Sequence, residues 1–361
     1  MRAVVSCLAA IGVLVTNSHS AVHAQSNTTL AARAVLIESD RVTLSGDVDS
    51  NSPVVWDRVA GRWTLYVITS FSGQPSLSAG RSLTMLQQPT HVSFGEQEIA
   101  GLWIESVIRD VDGTWYGYYH QELAVEGCDR SKVVPRIGAA RSRNRGRTWV
   151  DLGPVLELPA NTIVCSSNNG YLLGGAGDFT ALLDRDSQYL YFYYTQYVER
   201  SPAGVGVAVA RMTWAERDEP QGKLTVWNNG AWLPASFEEA WEYPMATPFI
   251  LARDRWDNGN QNVDVFWGPS VHWNTHLNQY VMLLNRANSN NWDQEGVYVA
   301  YNAVLDDPRS WSAPSQVFSG GRWYPQVIGL DGPAAGTDKQ AGEVARFYMG
   351  GVSDYLIRFI R

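Results

Sequence analysis

One phrase recurs five times along this chain: a polar or proline-containing opening, a short apolar strand ending in an aromatic residue or Asp, a turn, and a second strand rich in aromatics. The copies pair residues 52–57 with 64–67, 105–110 with 115–119, 178–184 with 189–194, 268–273 with 279–283, and 324–329 with 345–349. A repeated strand-turn-strand unit cannot bury its faces alone, whereas copies stacked as blades around an axis can. The expected fold is therefore all-β, a five-bladed β-propeller with a central axial pocket. Inner strands of such a ring converge, so the residues that open each copy become candidates for one shared site.

Three copies are followed by a further strand with small or β-branched residues, at 137–142, 206–211 and 296–301, each leading to a Trp (Trp149, Trp214, Trp311). Small side chains on such strands let neighbouring blades approach. Asp57, Asp110 and Asp184 sit at the turns of the first three copies, where carboxylates accept backbone N–H groups. The copies are unevenly spaced, and the extra length falls in 158–177 and in 216–262, the latter carrying Trp227, Trp232, Trp241 and Trp256. Long connections on a rigid ring commonly build the binding face, so both stretches are expected to wall the pocket.

Met1-Arg2, the apolar run from Ala3 to Val15 and the small residues before Gln25 read as a signal peptide over 1–24. The run is shorter than the roughly 20 residues that span a bilayer, so no membrane role is expected. The expected location is secreted or periplasmic, with 25–361 as a single propeller domain. Acidic residues outnumber basic ones, 36 to 28, which argues against nucleic acid as a partner. Removing the leader takes Cys7 with it and leaves Cys128 and Cys165 as a pair able to form a disulfide in an oxidising compartment. Neither a CxxC nor an HExxH motif is present and the six His are scattered, so no metal-ligating set and no cofactor are expected; structural calcium at the axis is compatible with such a ring but nothing demands it.

Aligning the copies puts an acidic residue at the opening of the first three: Asp49, Glu105 and Asp178. Carboxylates gathered at one axis repel one another, raise at least one pKa and supply the acid and base that glycoside hydrolysis needs. In Tyr118-Tyr119-His120-Gln121-Glu122, period-two alternation puts His120 and Glu122 on one side, either as substrate ligands or as partners that orient Glu105. The 15 Trp and 17 Tyr exceed what inner strands can use; flat faces with a polar edge suit sugar rings as well as cores. Trp103, Trp267, His272 and Tyr324, with Trp323 beside the last, are the expected pocket residues.

On these five copies, three carboxylates and the strand-turn-Trp phrase at 140–153, the chain resembles the five-bladed propeller glycoside hydrolases of families 43 and 32, over essentially its whole mature length. The phrase is also similar to the Asp-box of sialidases, with Asn144 where Asp is usual; it is a turn motif and assigns no activity. The resemblance implies a glycosidase acting on plant or microbial carbohydrate, with Asp49 as base or nucleophile and Glu105 and Asp178 sharing the modulator and acid roles. The order Glu then Asp reverses the usual family order, which marks an outlying branch. A carbohydrate-binding propeller without catalysis is the alternative.

Overall fold

The computed structural model describes residues 33–95, 101–198, 204–235, 245–252, 263–289, 291–333 and 336–361. The expected leader, Trp241 and Trp256 lie outside them. Residues Ala32–Arg361 make one compact unit, built from five sheets, antiparallel but for one short parallel pairing in blade four, that form the blades of a β-propeller. The five recurring phrases are the first two strands of each blade: Val54–Val59 with Arg62–Phe71, Leu102–Arg109 with Trp115–Ala124, Ala176–Leu183 with Tyr189–Tyr197, Val265–Asn274 with Gln279–Ala287, and Pro325–Gly329 with Val344–Met349. The three anticipated third strands form as Val133–Ser142, Val205–Thr213 and Gln294–Asn302.

Closure of the ring comes from a segment outside the repeat. Arg33–Thr43 runs antiparallel to the last strand, Val352–Ile360, from Arg33 opposite Ile360 to Thr43 opposite Val352. It supplies the outer strand of blade five, so the two ends of the described chain meet in one sheet.

The aromatic strands bind the blades together because alternate residues face opposite neighbours. In Tyr189–Tyr197, Leu190, Phe192 and Tyr194 pack with Tyr118 and Ile137 of blade two, while Tyr191 and Tyr193 pack with Val271, Met282 and Leu284 of blade four. Tyr118 meets Phe192 edge-on with ring centroids 5.0 Å apart. Each such ring, fully buried, contributes roughly 1.5–3 kcal/mol. Two glycines make room for these rings: a Cβ on Gly117 would lie 2.6 Å from Trp149, and one on Gly138 2.1 Å from Tyr119.

Hairpin acids do double duty. Asp57 accepts the Arg58 N–H and pairs with Arg109 and Arg145 of blade two; Asp110 accepts the Val111 N–H and pairs with Arg217 of blade three.

The axis is filled below the cavity. Asn51 donates to Phe179 O at 2.9 Å and Pro269 O at 3.3 Å. Lys339 reaches in from blade five to Ser106 Oγ at 3.0 Å, Thr180 Oγ1 at 3.2 Å and Asp338 at 3.0 Å. Its neighbour Gln340 lies in parallel pairing with Trp273 on the inner strand of blade four.

Candidate active site

Three inner strands carry a bulge near the start. In blade two the register slips between Ile104 and Ser106, leaving Glu105 unpaired; in blade three it slips between Gly177 and Phe179, leaving Asp178 unpaired; in blade four the slip lies between Trp267 and Ser270. A bulge bends the strand and re-aims the extra residue, here bringing the Glu105 and Asp178 carboxylates to the cavity. Asp178 has φ of 44°, a conformation disfavoured for a residue with a Cβ. It is held there by its N–H donating to His120 Nδ1 at 3.1 Å and by the Phe179 N–H donating to Glu105 Oε2 at 2.9 Å. In blade one, Asp49 precedes the inner strand and is anchored by its own N–H to Ser70 O at 3.0 Å.

These residues meet in a cavity of about 440 Å³ to which all five blades contribute. Glu105, His120 and Asp178 are buried in it. Asp49 and Ser72 enter from blade one, Trp103 and Glu122 from blade two, Trp267 and Trp292 from blade four, and Trp323 and Tyr324 from blade five. Tyr171 and Leu172 come from the connection between blades two and three.

Asp49 Oδ1 accepts the Trp103 indole N–H at 2.6 Å, and Oδ2 accepts the Ser72 N–H at 2.9 Å. Burial raises its pKa, and these two hydrogen bonds oppose the rise. Asp178 accepts the Tyr197 hydroxyl on one oxygen and the Tyr324 hydroxyl, at 3.1 Å, on the other; burial raises its pKa as well. Glu105 is 1% exposed, and its Oε1 lies 3.4 Å from His120 Nδ1. Burial, reinforced by the Asp178 charge, pushes its pKa up to about 7 against the pull of His120.

Two tendencies compete at His120. The Glu105 and Glu122 carboxylates, 3.4 and 3.6 Å away, outweigh burial and raise its affinity for a proton. The Asp178 amide aimed at Nδ1 leaves that nitrogen an acceptor. A proton on Nε2, facing Glu122, is compatible with both.

Glu105, His120 and Asp178 offer ligand atoms within 4.8 Å of one another. A cation there would compete with the amides and tyrosine hydroxyls that already engage these groups, so the donor set fits a hydrogen-bonded carboxylate cluster better than a metal centre.

Of the expected site residues, Asp49, Trp103, Glu105, His120, Glu122, Asp178, Trp267 and Tyr324 come together here. His272 does not: it lies further along the inner strand of blade four, 1% exposed, its ring 5.6 Å from that of Phe359. Burial and the Lys339 charge lower its pKa to about 3, so it is a neutral core histidine. The connection 158–177 does wall the pocket, through Tyr171 and Leu172. In 216–262, Trp227 and Trp232 instead pack on the outer part of blade three, Trp232 edge-on to Tyr191 at 5.9 Å and under Arg211 at 4.1 Å. Sequence reasoning missed Ser72, Trp292 and Tyr197. The first two sit in turns outside the repeated phrase; the only trace of Tyr197 is its place at the cavity end of the aromatic strand.

No protein-family model and no curated protein matches the chain. Among solved structures, an endo-arabinase from Bacteroides thetaiotaomicron aligns with a TM-score of 0.51 at 9% identity, covering 89% of this chain and 97% of that one. The catalytic domain of a family-62 α-L-arabinofuranosidase from Coprinopsis cinerea aligns at 0.48 and 11%, covering 90% and 96%. An exo-1,5-α-L-arabinanase from a bovine ruminal metagenomic library aligns at 0.45 and 13%, covering 87% and 95%. The chain shares the overall fold of the endo-arabinase.

Proposed function

We propose that this protein is a glycoside hydrolase that cleaves a bond in a plant or microbial polysaccharide or oligosaccharide within the axial cavity. The observation that carries this reading is Glu105, a buried carboxyl with a pKa near 7 beside His120, lining a cavity that also holds Asp49. A carboxyl that keeps its proton near neutrality can give it to a leaving glycosidic oxygen. Asp49, with its oxygens fixed by Trp103 and Ser72, acts as base or nucleophile. Asp178 supports the acid through its negative charge, which favours the protonated form of Glu105. Sugar rings would lie against Trp323 and Tyr324, with Trp267 packed behind them.

The test is sugar release from a panel of arabinans, xylans, fructans, galactans and aryl glycosides by wild type and by Glu105→Gln, Asp49→Asn and Asp178→Asn. General acid help contributes roughly 10²–10⁴-fold, and Glu105→Gln is expected to lose that much on a substrate the wild type cleaves. Near-wild-type turnover by all three variants overturns the assignment. The aromatic wall favours one rival, a non-catalytic sugar-binding propeller, which predicts saturable glycan binding by wild type and Glu105→Gln alike and no release.

Export belongs to the same proposal. The apolar run behind Met1-Arg2 supports it, as does the Cys128–Cys165 disulfide, a bond that persists in oxidising compartments. Protein recovered from the periplasm or medium with an N-terminus near Gln25 is the expected result; full-length protein retained in the cytoplasm is the contrary one.

A further inference from the structure

The connection between blades two and three does more than add a side chain to the wall. Asn169, 1% exposed, accepts three hydrogen bonds on its Oδ1: the N–H groups of Tyr171 and Leu172, each at 2.9 Å, and the Trp292 indole N–H at 3.2 Å. The first two shape the turn that presents Tyr171. The third ties that turn to blade four. Trp323 of blade five then donates its indole N–H to Trp292 O at 2.9 Å, and the Tyr171 ring stands edge-on to Trp323 with centroids 6.3 Å apart.

The base of the same segment is clamped to blade two. Cys165 is bonded to Cys128, Lys132 Nζ donates to Ser167 O, and the N–H groups of Val133 and Leu173 donate to Tyr171 O and Val133 O. From blade two, across the start of blade three and on to blades four and five, the rim is one hydrogen-bonded run. On the far side Trp103 and Ser72 both bind Asp49, joining blade two to blade one.

A chain bound through its middle must leave the site on two sides, and so needs a groove open at two ends. This cavity receives wall residues from every blade, has Lys339 and Asn51 packed on the axis beneath it, and at about 440 Å³ is near the small end of the roughly 300–1,000 Å³ that enclose drug-sized ligands. We propose that the cavity is a dead-end pocket taking the terminal residue of a glycan chain, so that the enzyme is exo-acting, and that Asn169 is the positioning residue that keeps the pocket closed by latching the Tyr171 turn to Trp292. This rests on the glycosidase reading and deepens it.

Two measurements test it. Linear arabino-, xylo- and galacto-hexasaccharides labelled at the reducing end are incubated with wild type and the labelled products followed from the first few per cent of conversion. Stepwise loss of one terminal unit is expected; labelled trimers and tetramers at that stage overturn the proposal while leaving the hydrolase reading intact. Binding of the same hexasaccharides to Glu105→Gln, with the non-reducing terminus free or blocked by a bulky ether, gives a readout that needs no turnover. Blocking is expected to weaken binding at least tenfold, and equal affinity for both forms overturns the proposal. Neither release nor binding across the panel overturns this inference and the carbohydrate reading together. For the latch, Asn169→Ala is expected to raise KM about tenfold with kcat nearly unchanged, the pattern of lost positioning, and to give internal cleavage products at an unchanged far-ultraviolet circular dichroism spectrum. Asn169→Asp keeps the accepting oxygen and is expected to restore terminal release; an Asn169→Ala enzyme with wild-type KM and product pattern refutes the latch.

Discussion

Glu105→Gln should separate stability from activity in a pH-dependent way. In the folded protein the carboxyl titrates near 7, against 4.5 for the unperturbed group, because it is buried beside Asp178. A group whose folded pKa is raised binds its proton more tightly when folded, so its contribution to stability is full below 4.5 and is lost as pH rises through about 7. At about 1.4 kcal/mol per unit, the wild type should lose on the order of 3 kcal/mol from this group across that window. Glutamine keeps an oxygen to accept the Phe179 N–H and carries no charge, so the variant escapes the loss. The assay is denaturant unfolding followed by circular dichroism for both proteins at pH 4.5, 6 and 8 with the disulfide intact; taking the difference between them cancels other titrating groups. The variant should gain on wild type by about 3 kcal/mol between pH 4.5 and 8. A difference that stays flat with pH, or that moves in favour of wild type, would refute the burial argument and remove the basis for Glu105 as the acid.

The other predictions concern its neighbours. Tyr197→Phe removes a hydroxyl that lowers the Asp178 pKa, so the pH profile of kcat/KM should shift upward on its acid limb, by roughly one unit; an unmoved limb would take Asp178 out of the ionisations that govern activity. Reducing or replacing the Cys128–Cys165 bond, which closes a loop across a separation of 37 residues, should cost roughly 2–4 kcal/mol by thermal or denaturant unfolding and raise KM through the Tyr171 turn, whereas unchanged stability and KM would show that the segment is held without it. Gly138→Ala puts a methyl 2.1 Å from Tyr119, and unfolding measurements should show a loss of roughly 1–3 kcal/mol from overpacking within blade two; a neutral substitution would mean the ring moves freely aside.

The repeat made the architecture readable because each blade is a local object: its hairpin turns, apolar strands and aromatic alternation lie within a few dozen residues. The same holds for Glu105 and Asp178, which open copies of the phrase, and for His120 and Glu122, which share one side of a strand. Ring closure was not legible in this way. Arg33–Thr43 has no copy of the phrase, and its partner lies at the other end of the chain.

The number of blades, the strands that face the axis and the carboxylates that open them follow from local pattern, since period-two alternation and turn chemistry act between near neighbours in the chain. Tertiary structure alone decided which polar residues reach the cavity. His272 stands in an opening phrase like Glu105 and Asp178, yet it lies beyond the blade-four bulge and packs against Phe359. Tyr171 and Trp292 belong to no repeat, yet Asn169 brings them to one rim. The raised pKa of Glu105 likewise depends on burial and on Asp178, a residue of another blade, and the closeness of two blades is set by how the ring packs and not by any spacing along the chain.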